Sequence, residues 1–593
     1  MRYLILLAAL VAVSAPAGAQ SGPYEEGVEA YRDGEFQQAV RALERAVEAN
    51  PDDAEAHYLL ARVLFDERNP DRDEGRAGRE IDRAVDLDPD NVVYLVARLE
   101  QLRGDTWNYF QEILRVQRRR ELANKILSLD STNAFAHEEL GEQAIVDYYQ
   151  YRNAIQLPGI EFRSQDVGRA EDAPAETGAS LSVDDPSAGA DAAESIPTDG
   201  PDPASFDGLF GEQIADRFDV AELRRRGVPV TDYSDRANRA YDRAIGHLRM
   251  AVEQDPRRGP VYDHLIRLAS LSQEWDDMLP DLTTMVTYLP EAMETWLYTG
   301  LVQHRLGNYE AATAAFRQAL ERMDEETLDA YTDLTLILPP DEHSAYREAP
   351  ETFAERYWTS RDPRFLNTVN ERRTEHYARL TTAELLYRSD DLDIPGWRTE
   401  RGRLHVRYGV PNLDVIIEGG FGEVVEQFTG RVESLSSDPF RSVNRFNVWD
   451  YGDDVRFVFE DPTRNGSFRL YSPPADVFAT LSARNPEALD FVERAQAQVR
   501  RQPERYQFRA PGRQVQLPYR VTAFKGEEGR TDLYVNYGIP VAGTGQGDGV
   551  QEDVGVTVNT GAFLIGPQRD LLVERRRTVY GLRGAQIVPF EQT

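Results

Sequence analysis

The sequence predicts a multidomain chain in three kinds of architecture: an all-α array of helical repeats, then an α+β domain around an antiparallel meander, then a small all-β, sandwich-like domain. Three observations carry that prediction. Small and bulky apolar residues recur with helical phase in two stretches of the first half; beyond Gly402 the apolar period switches to two; and 593 residues suffice for several separate cores.

Residues 1–19 read as an export signal, with Arg2 as the basic start, Tyr3 to Val13 as a short apolar run and Ala17-Gly-Ala19 as the cleavage site. That run is too short to span a bilayer, and no later stretch reaches the roughly 18 apolar residues a membrane helix needs. The expectation is an exported protein, in the periplasm or at the cell surface, without a transmembrane segment. Cysteine is absent, which excludes disulfides, thiolate metal sites and cysteine nucleophiles. A net charge of −35 argues against nucleic acid and anionic membranes as partners, since both would be repelled. All but Lys125 and Lys525 of the 67 basic residues are arginine. Arginine forms planar, bidentate pairs with carboxylates, so acidity combined with arginine reads as the composition of a salt-loving bacterium.

In residues 20–150 the segment "GVEAYRDGEFQQAVRALERAVEANP" places Gly27, Gly34, Phe36, Ala39, Leu43, Ala46 and Pro51 where a tetratricopeptide repeat has them. Gly27 and Ala39 allow two antiparallel helices to approach, Phe36 and Leu43 fill the wedge, and Pro51 stops the second helix. Weaker copies follow over Ala54 to Pro89, stretched by a polar insertion around Asn69 to Gly75, and over Val92 to Leu129 and Asn133 to Tyr149. Residues 151–235 form an acidic linker: Ala170 to Ser205 holds nine acidic residues and no basic or aromatic one, a composition that cannot offset its ordering entropy. A short helix before Pro229 is expected to end it. The array resumes in residues 236–340, where Trp296, Gly300, Gly307, Tyr309, Ala312, Phe316 and Ala319 restate the repeat pattern. Trp296, Tyr309 and Phe316 are the residues on which the packing of that unit, and hence a partner-binding groove, should depend.

Residues 341–510 begin helical and change at Gly402, where Leu404, Val406 and Tyr408 alternate with Arg403, His405 and Arg407 as a strand would. "NRFNVWDY" and "DVRFVFED" continue the meander, with Trp449, Tyr451, Phe457 and Phe459 available to one core, and Pro474 to Arg505 returns to helix. Residues 511–593 alternate again and predict four or five strands of a sandwich-like domain, fewer than the roughly seven of a complete one.

The stretch Gly396 to Gly409, "GWRTERGRLHVRYG", resembles the hallmark of the GWxTD domain family, and "YWTSRDP" with "NERRTEHYAR" upstream and "VWDY" with "VRFVFED" downstream resemble its flanks. The motif positions are Gly396, Trp397, Thr399, Glu400, Arg401, Gly402, Tyr408 and Gly409; Glu400 stands where the hallmark has aspartate, and Val410 where proline is commoner. The resemblance covers about Ala349 to Ser472. It implies an exported bacterial envelope protein, often with tetratricopeptide repeats ahead of the domain, and it implies no particular reaction.

Candidate chemistry is sparse. None of the eight histidines forms a His-Glu-x-x-His pair, and neither a nucleophile elbow nor a phosphate-binding loop is present, so no metal and no cofactor is expected. The glycine run Gly543 to Gly549 sits between strands and reads as a hairpin tip. Glu371 and Glu375 share a helix face, and Glu400 with His376 would make an acid-base pair if the fold brought them together. The competing reading pairs Arg401 or Arg403 with Glu371 or Glu375, closes the turn through Thr399 and Glu400, and anchors it with Trp397. Function then divides into an interaction scaffold that binds protein partners through its repeat groove, and an envelope-polymer hydrolase using Glu400, His376 and Glu371.

Overall fold

The structure, a computed structural model, describes residues 22–103, 109–156, 230–364, 368–389, 392–418, 445–452, 455–462, 466–472, 493–499, 505–506, 508, 519–526, 531–537, 556–565 and 571–582. The export signal, the acidic linker with its helix before Pro229, and the tip at Gly543 to Gly549 lie outside these residues. The chain divides into two compact units, Met1–Gln150 with Ala190–Val261, and Tyr151–Gly189 with Tyr262–Thr593.

In the first unit, helices alternate in antiparallel pairs: α1 (Pro23–Arg32) with α2 (Phe36–Ala49), α3 (Ala54–Phe65) with α4 (Glu74–Leu87), and α5 (Val92–Leu102) with α6 (Tyr109–Leu129), followed by α7 (Ala134–Gln156) and α8 (Val230–Gln254). The helices start where the sequence supplies a cap. Pro23 opens α1, and the side chains of Asp53, Asp73 and Asn91 accept the first free amides of α3, α4 and α5. Gly34, at φ 77°, turns α1 into α2, a conformation that costs an L side chain roughly 1–2 kcal/mol. Three apolar clusters then run along the array, one around Leu43, Leu60 and Val63, the next around Ile81 and Tyr94, the third around Leu99 and Ile126, as expected when each repeat buries its open face on its neighbour. The polar insertion is anchored rather than loose: Asn69 is buried and donates to the Val63 carbonyl at 2.9 Å.

The second unit opens with α9 (Gly259–Ser272), α10 (Leu279–Tyr288), α11 (Met293–Arg305) and α12 (Tyr309–Leu320), then α13 (Glu325–Thr332), α14 (His343–Glu348), α15 (Pro350–Ser360), α16 (Glu371–Tyr387) and α17 (Glu400–Tyr408). Gly300 in α11 faces Phe316 in α12 so closely that a Cβ would lie 2.7 Å from the ring. A four-stranded antiparallel sheet follows, in the order β1 (Leu413–Glu418), β2 (Arg445–Asp450), β3 (Arg456–Asp461), β4 (Arg469–Leu470). The meander is therefore present, with Trp449, Tyr451, Phe457 and Phe459 all buried. Trp449 lies opposite Phe457 in register, and its ring meets Phe459 edge-on at 4.8 Å.

Two expectations are corrected. Residues from Gly402 do not form a strand but belong to α17, whose Leu404, His405, Val406, Arg407 and Tyr408 are all buried. The alternation was misleading because every residue from Leu404 to Tyr408 is enclosed, so His405 and Arg407 lie inside with the apolar residues while Arg403 faces solvent. At the C-terminal end, β5 (Tyr519–Lys525) pairs with β6 (Thr531–Tyr537) and β7 (Val556–Ile565) with β8 (Leu571–Leu582) as two separate two-stranded sheets. Tyr519, Val521, Phe524 and Tyr534 are exposed, so among the described residues no second sheet covers β5 to close a sandwich. The helix expected over Pro474 to Arg505 is described only at residues 493–499.

Replacing Gly300 by Ala should gain the roughly 1 kcal/mol by which alanine outranks glycine in a helix and lose about 1–3 kcal/mol to overpacking against Phe316. The expected outcome is a net loss of up to about 2 kcal/mol in denaturant unfolding of the second unit, partly restored by Phe316→Leu.

Candidate functional site

The motif at Gly396 to Gly409 forms a junction built against α16. A short 3₁₀ turn, Gly396–Arg398, precedes α17. The Gly396 amide donates to the Glu384 carboxylate at 2.7 Å, and a Cβ here would meet the Ala383 carbonyl oxygen at 2.0 Å. Thr399 caps α17: its hydroxyl donates to the Gly396 carbonyl at 2.7 Å and accepts the Gly402 amide at 3.1 Å. A Cβ on Gly402 would fall 1.8 Å from that same carbonyl oxygen. The two glycines and the threonine are thus one device that brings three backbone segments within van der Waals contact. Glu400 is exposed at the start of α17 and accepts the Leu470 amide of β4, and Arg401 lies over Phe468 at 4.1 Å while donating to the Gly466 carbonyl. Tyr408 packs edge-on against Phe457 at 5.1 Å.

α17 ends on a buried cation. Arg379 of α16, 4% exposed, donates from Nη1 to the carbonyls of Val406 at 3.2 Å, Arg407 at 2.9 Å and Arg505 at 3.0 Å, and from Nε to Glu375 at 2.6 Å. It satisfies last-turn carbonyls that no intrahelical amide reaches and sets a positive charge at the negative end of the helix dipole. Gly409 follows at φ 77°, where a Cβ would crowd Arg379 Nη2 at 3.0 Å. Burial would raise the Glu375 carboxyl, yet Arg379, His304 at 3.0 Å and Arg305 hold it well below the usual range.

The proposed pairings are corrected here. Glu371, fully buried, is matched by Arg364, and Glu375 by Arg379 and His304; neither pairs with Arg401 or Arg403. The sequence pattern pointed to the nearest motif arginines, whereas α16 supplies its own arginine four residues along and α11 supplies a histidine from far back in the chain. His376 is fully buried, and burial together with Arg372, Arg379 and Arg373 pushes it well below its ordinary value. Arg372 stacks on Trp358 and Tyr506, with burial and then Arg379 pushing it down to about 10. Glu400 at the surface and the enclosed Glu371 and His376 therefore stand in different surroundings, each committed to a structural contact or to the core. Among the described residues no three His, Asp or Glu side chains form a group that could hold a metal ion.

Trp397 is half-buried, with the Arg398 guanidinium 4.5 Å from its ring. It borders a cleft of about 940 Å³ whose other walls include Asp324, Glu325, Glu326, Asp329, Asp333 and Tyr346, and Arg398 bonds to Glu326 at 2.9 Å.

The repeat residues singled out from sequence are packing residues. Phe316 is buried against Gly300 and meets Tyr377 of α16 at 5.7 Å. Tyr309 packs on His304 at 5.4 Å and Phe508 at 5.8 Å. Trp296 donates from Nε1 to the Pro290 carbonyl at 2.8 Å, closing the end of the preceding helix. His57 and His137 do the same with Nε2, each 3.1 Å from the carbonyl six residues before it, at Pro51 and Ser131.

Sequence reasoning missed a row of tyrosines on the first unit's leading helices. Tyr24 of α1, Tyr58 of α3 and Tyr94 of α5 occupy matching positions; the Tyr24 hydroxyl donates to Glu55 at 2.9 Å, and the Tyr58 and Tyr94 rings lie 5.1 Å apart. Tyr24 and Tyr58 are half-buried, Tyr94 forms the floor, and Val93 beside it is 56% exposed. Arg62 and Glu100 bridge α3 and α5 along the row at 2.5 Å. The spacings of 34 and 36 residues were the signal that marks these positions as equivalent.

A tetratricopeptide-repeat family model (TPR_16) matches residues 24–91 and 274–326. The protein thus carries tetratricopeptide repeats in both stretches, on either side of the intervening acidic segment. No curated protein matches the chain. Among solved structures, a monomeric mutant of IFIT1 with Gppp-AAAA is similar over 60% of this chain and 69% of that one, at 14% identity and a TM-score of 0.28.

Thr399→Ala should cost about 1 kcal/mol of stability as a lost helix cap, and Thr399→Ser should restore most of it. Gly402→Ala should cost more, because the atom it strikes is backbone; denaturant midpoints of the three variants check the order. His405, also buried, is pushed down to about 3 by burial and then by Arg305 and Arg379. An unfolded histidine titrates near pH 6.5, so the stability conferred by the neutral ring is present above about pH 6.5 and lost as pH falls toward 3. Unfolding free energy should therefore drop by about 1.4 kcal/mol per pH unit for each such histidine below about pH 6, with a shallower slope in His405→Leu.

Proposed function

We propose that the protein is an exported, non-enzymatic interaction scaffold of a bacterial envelope, whose tetratricopeptide repeats bind a protein partner. The observation that carries this reading is the row Tyr24, Tyr58 and Tyr94 on successive leading helices. Half-buried tyrosines supply large, rigid contact area with a hydroxyl at its edge, at little cost in conformational entropy on binding, which is why such residues anchor protein interfaces. Repeats of this kind generally bind protein segments on the surface formed by their leading helices.

The region from about residue 341 to 510, in this reading, is a GWxTD-like α+β domain that docks the scaffold to the envelope or to another subunit. Its motif glycines and threonine are explained by close packing, and its buried Glu371 and Glu375 by arginine pairing. Among the described residues no helix is long and apolar enough to cross a membrane. The acidic, arginine-rich composition suits a surface that works in strong salt, where isolated ion pairs are screened.

Cross-linking and recovery of partners from native envelope in high salt tests the proposal. A double variant, Tyr24→Ala with Tyr58→Ala, should reduce recovery of the partner at least about tenfold, the effect of about 1.4 kcal/mol, while Glu400→Gln leaves it unchanged. Undiminished recovery by the tyrosine variant, or loss with Glu400→Gln alone, would overturn it.

A further inference from the structure

Helices α7 and α8 of the first unit are separated in sequence by residues 157–229, yet they pack as an antiparallel pair. They approach closely at Gly141, where a Cβ would sit 2.7 Å from the Leu248 side chain. Next to that crossing, His137 of α7 and His247 of α8 meet ring to ring, Nδ1 to Nδ1 at 2.9 Å. The tautomers follow from the surroundings. His137 Nε2 is 3.1 Å from the Ser131 carbonyl, so it carries the hydrogen and its Nδ1 presents a lone pair. His247 must then donate from Nδ1. A single proton lies between the two rings.

We infer that the His137–His247 pair is an acid-sensitive clasp that holds α8 on α7 at neutral pH and releases it as both rings become protonated. The first added proton enters at His247 Nε2 and leaves the hydrogen bond in place. A second would have to enter at His137 Nδ1, setting two N–H groups against each other across 2.9 Å. Separated helices accept both protons, and the closed pair accepts at most one, so acid favours opening.

The charged neighbours fix the pH range. Arg243 of α8, bonded to Asp147 of α7 at 3.2 Å, opposes extra positive charge and, after burial, lowers the His247 pKa together with His137. Glu138 of α7 is held by Arg103 of the α5 end and by Arg258, which follows α8. Asp130, before α7, is stabilised as the anion by Thr132 and Asn133, with a contribution from His137. Those contacts hold the Asp130 carboxyl below its ordinary value, and an accessible histidine changes charge between about pH 5 and 6.5.

Hydrogen exchange of the α7 and α8 amides in the full-length chain, corrected for intrinsic pH dependence, tests the clasp. The opening constant should rise about tenfold per pH unit between about pH 6 and 5 in the wild type. In His247→Asn it should stay level over that range, because the amide turns to donate to a neutral His137 or accept from a charged one. His137→Gln, which keeps a donor for Ser131, should also be level and guards against a poorly folded His247 variant. A level response in the wild type overturns the proposal, and so does an unchanged slope in both variants, which would assign the effect to Glu138 or Asp147.

Discussion

A guanidinium closed off from water must find its partners within the protein, and Arg379 does so by collecting three backbone carbonyls and a carboxylate from three places in the chain. Much of the second unit is arranged around that requirement. α17 has to end where its carbonyls reach Nη1, and Gly409 has to follow because any side chain would strike the guanidinium. Residue 505 has to return to the same spot, and it does so with its own amide on the Arg407 carbonyl at 2.9 Å and its side chain on the Tyr451 carbonyl at 2.6 Å. Removal of such a cation leaves buried acceptors with nothing to replace it, a cost well beyond that of a surface ion pair.

α16 carries this arrangement to the repeats. Buried along most of its length, it meets α12 through Phe316 and Tyr377 and through Thr313 and Thr374 at 2.9 Å, and meets α11 through His304 and Glu375. The repeat helices and the motif junction therefore share one central helix. A substitution that shifts α16 would alter both.

The repeats were legible because spacing alone encodes them: Gly27, Ala39, Gly300 and Phe316 occupy positions where size is dictated by helix approach. The meander was legible for the same reason, its aromatic residues falling on one face at a period of two. α17 was not, because its last five residues, Leu404 to Tyr408, are buried whatever their polarity, so "RLHVRY" shows no helical apolar stripe and alternates polarity by coincidence. The stronger local signal was Thr399, a capping residue directly before the segment. β1 was missed because its partner strand is more than twenty-five residues away in sequence, and the ion pairs of Glu371 and Glu375 were missed because charge matching in sequence ranks neighbours, whereas the fold selects by orientation.

One small contact reaches further than its size suggests. His57, His137 and Trp296 all use a ring N–H to close the helix before their own, on the carbonyl six residues back. An indole spends its only polar atom on that task. An imidazole has a second nitrogen left over, which faces Glu80 at 2.7 Å in one repeat and His247 in the other. Exchange of tryptophan for histidine at this position thus keeps the repeat's architecture and adds a coupling point, so that the array's dialogue with its neighbours is written one nitrogen at a time.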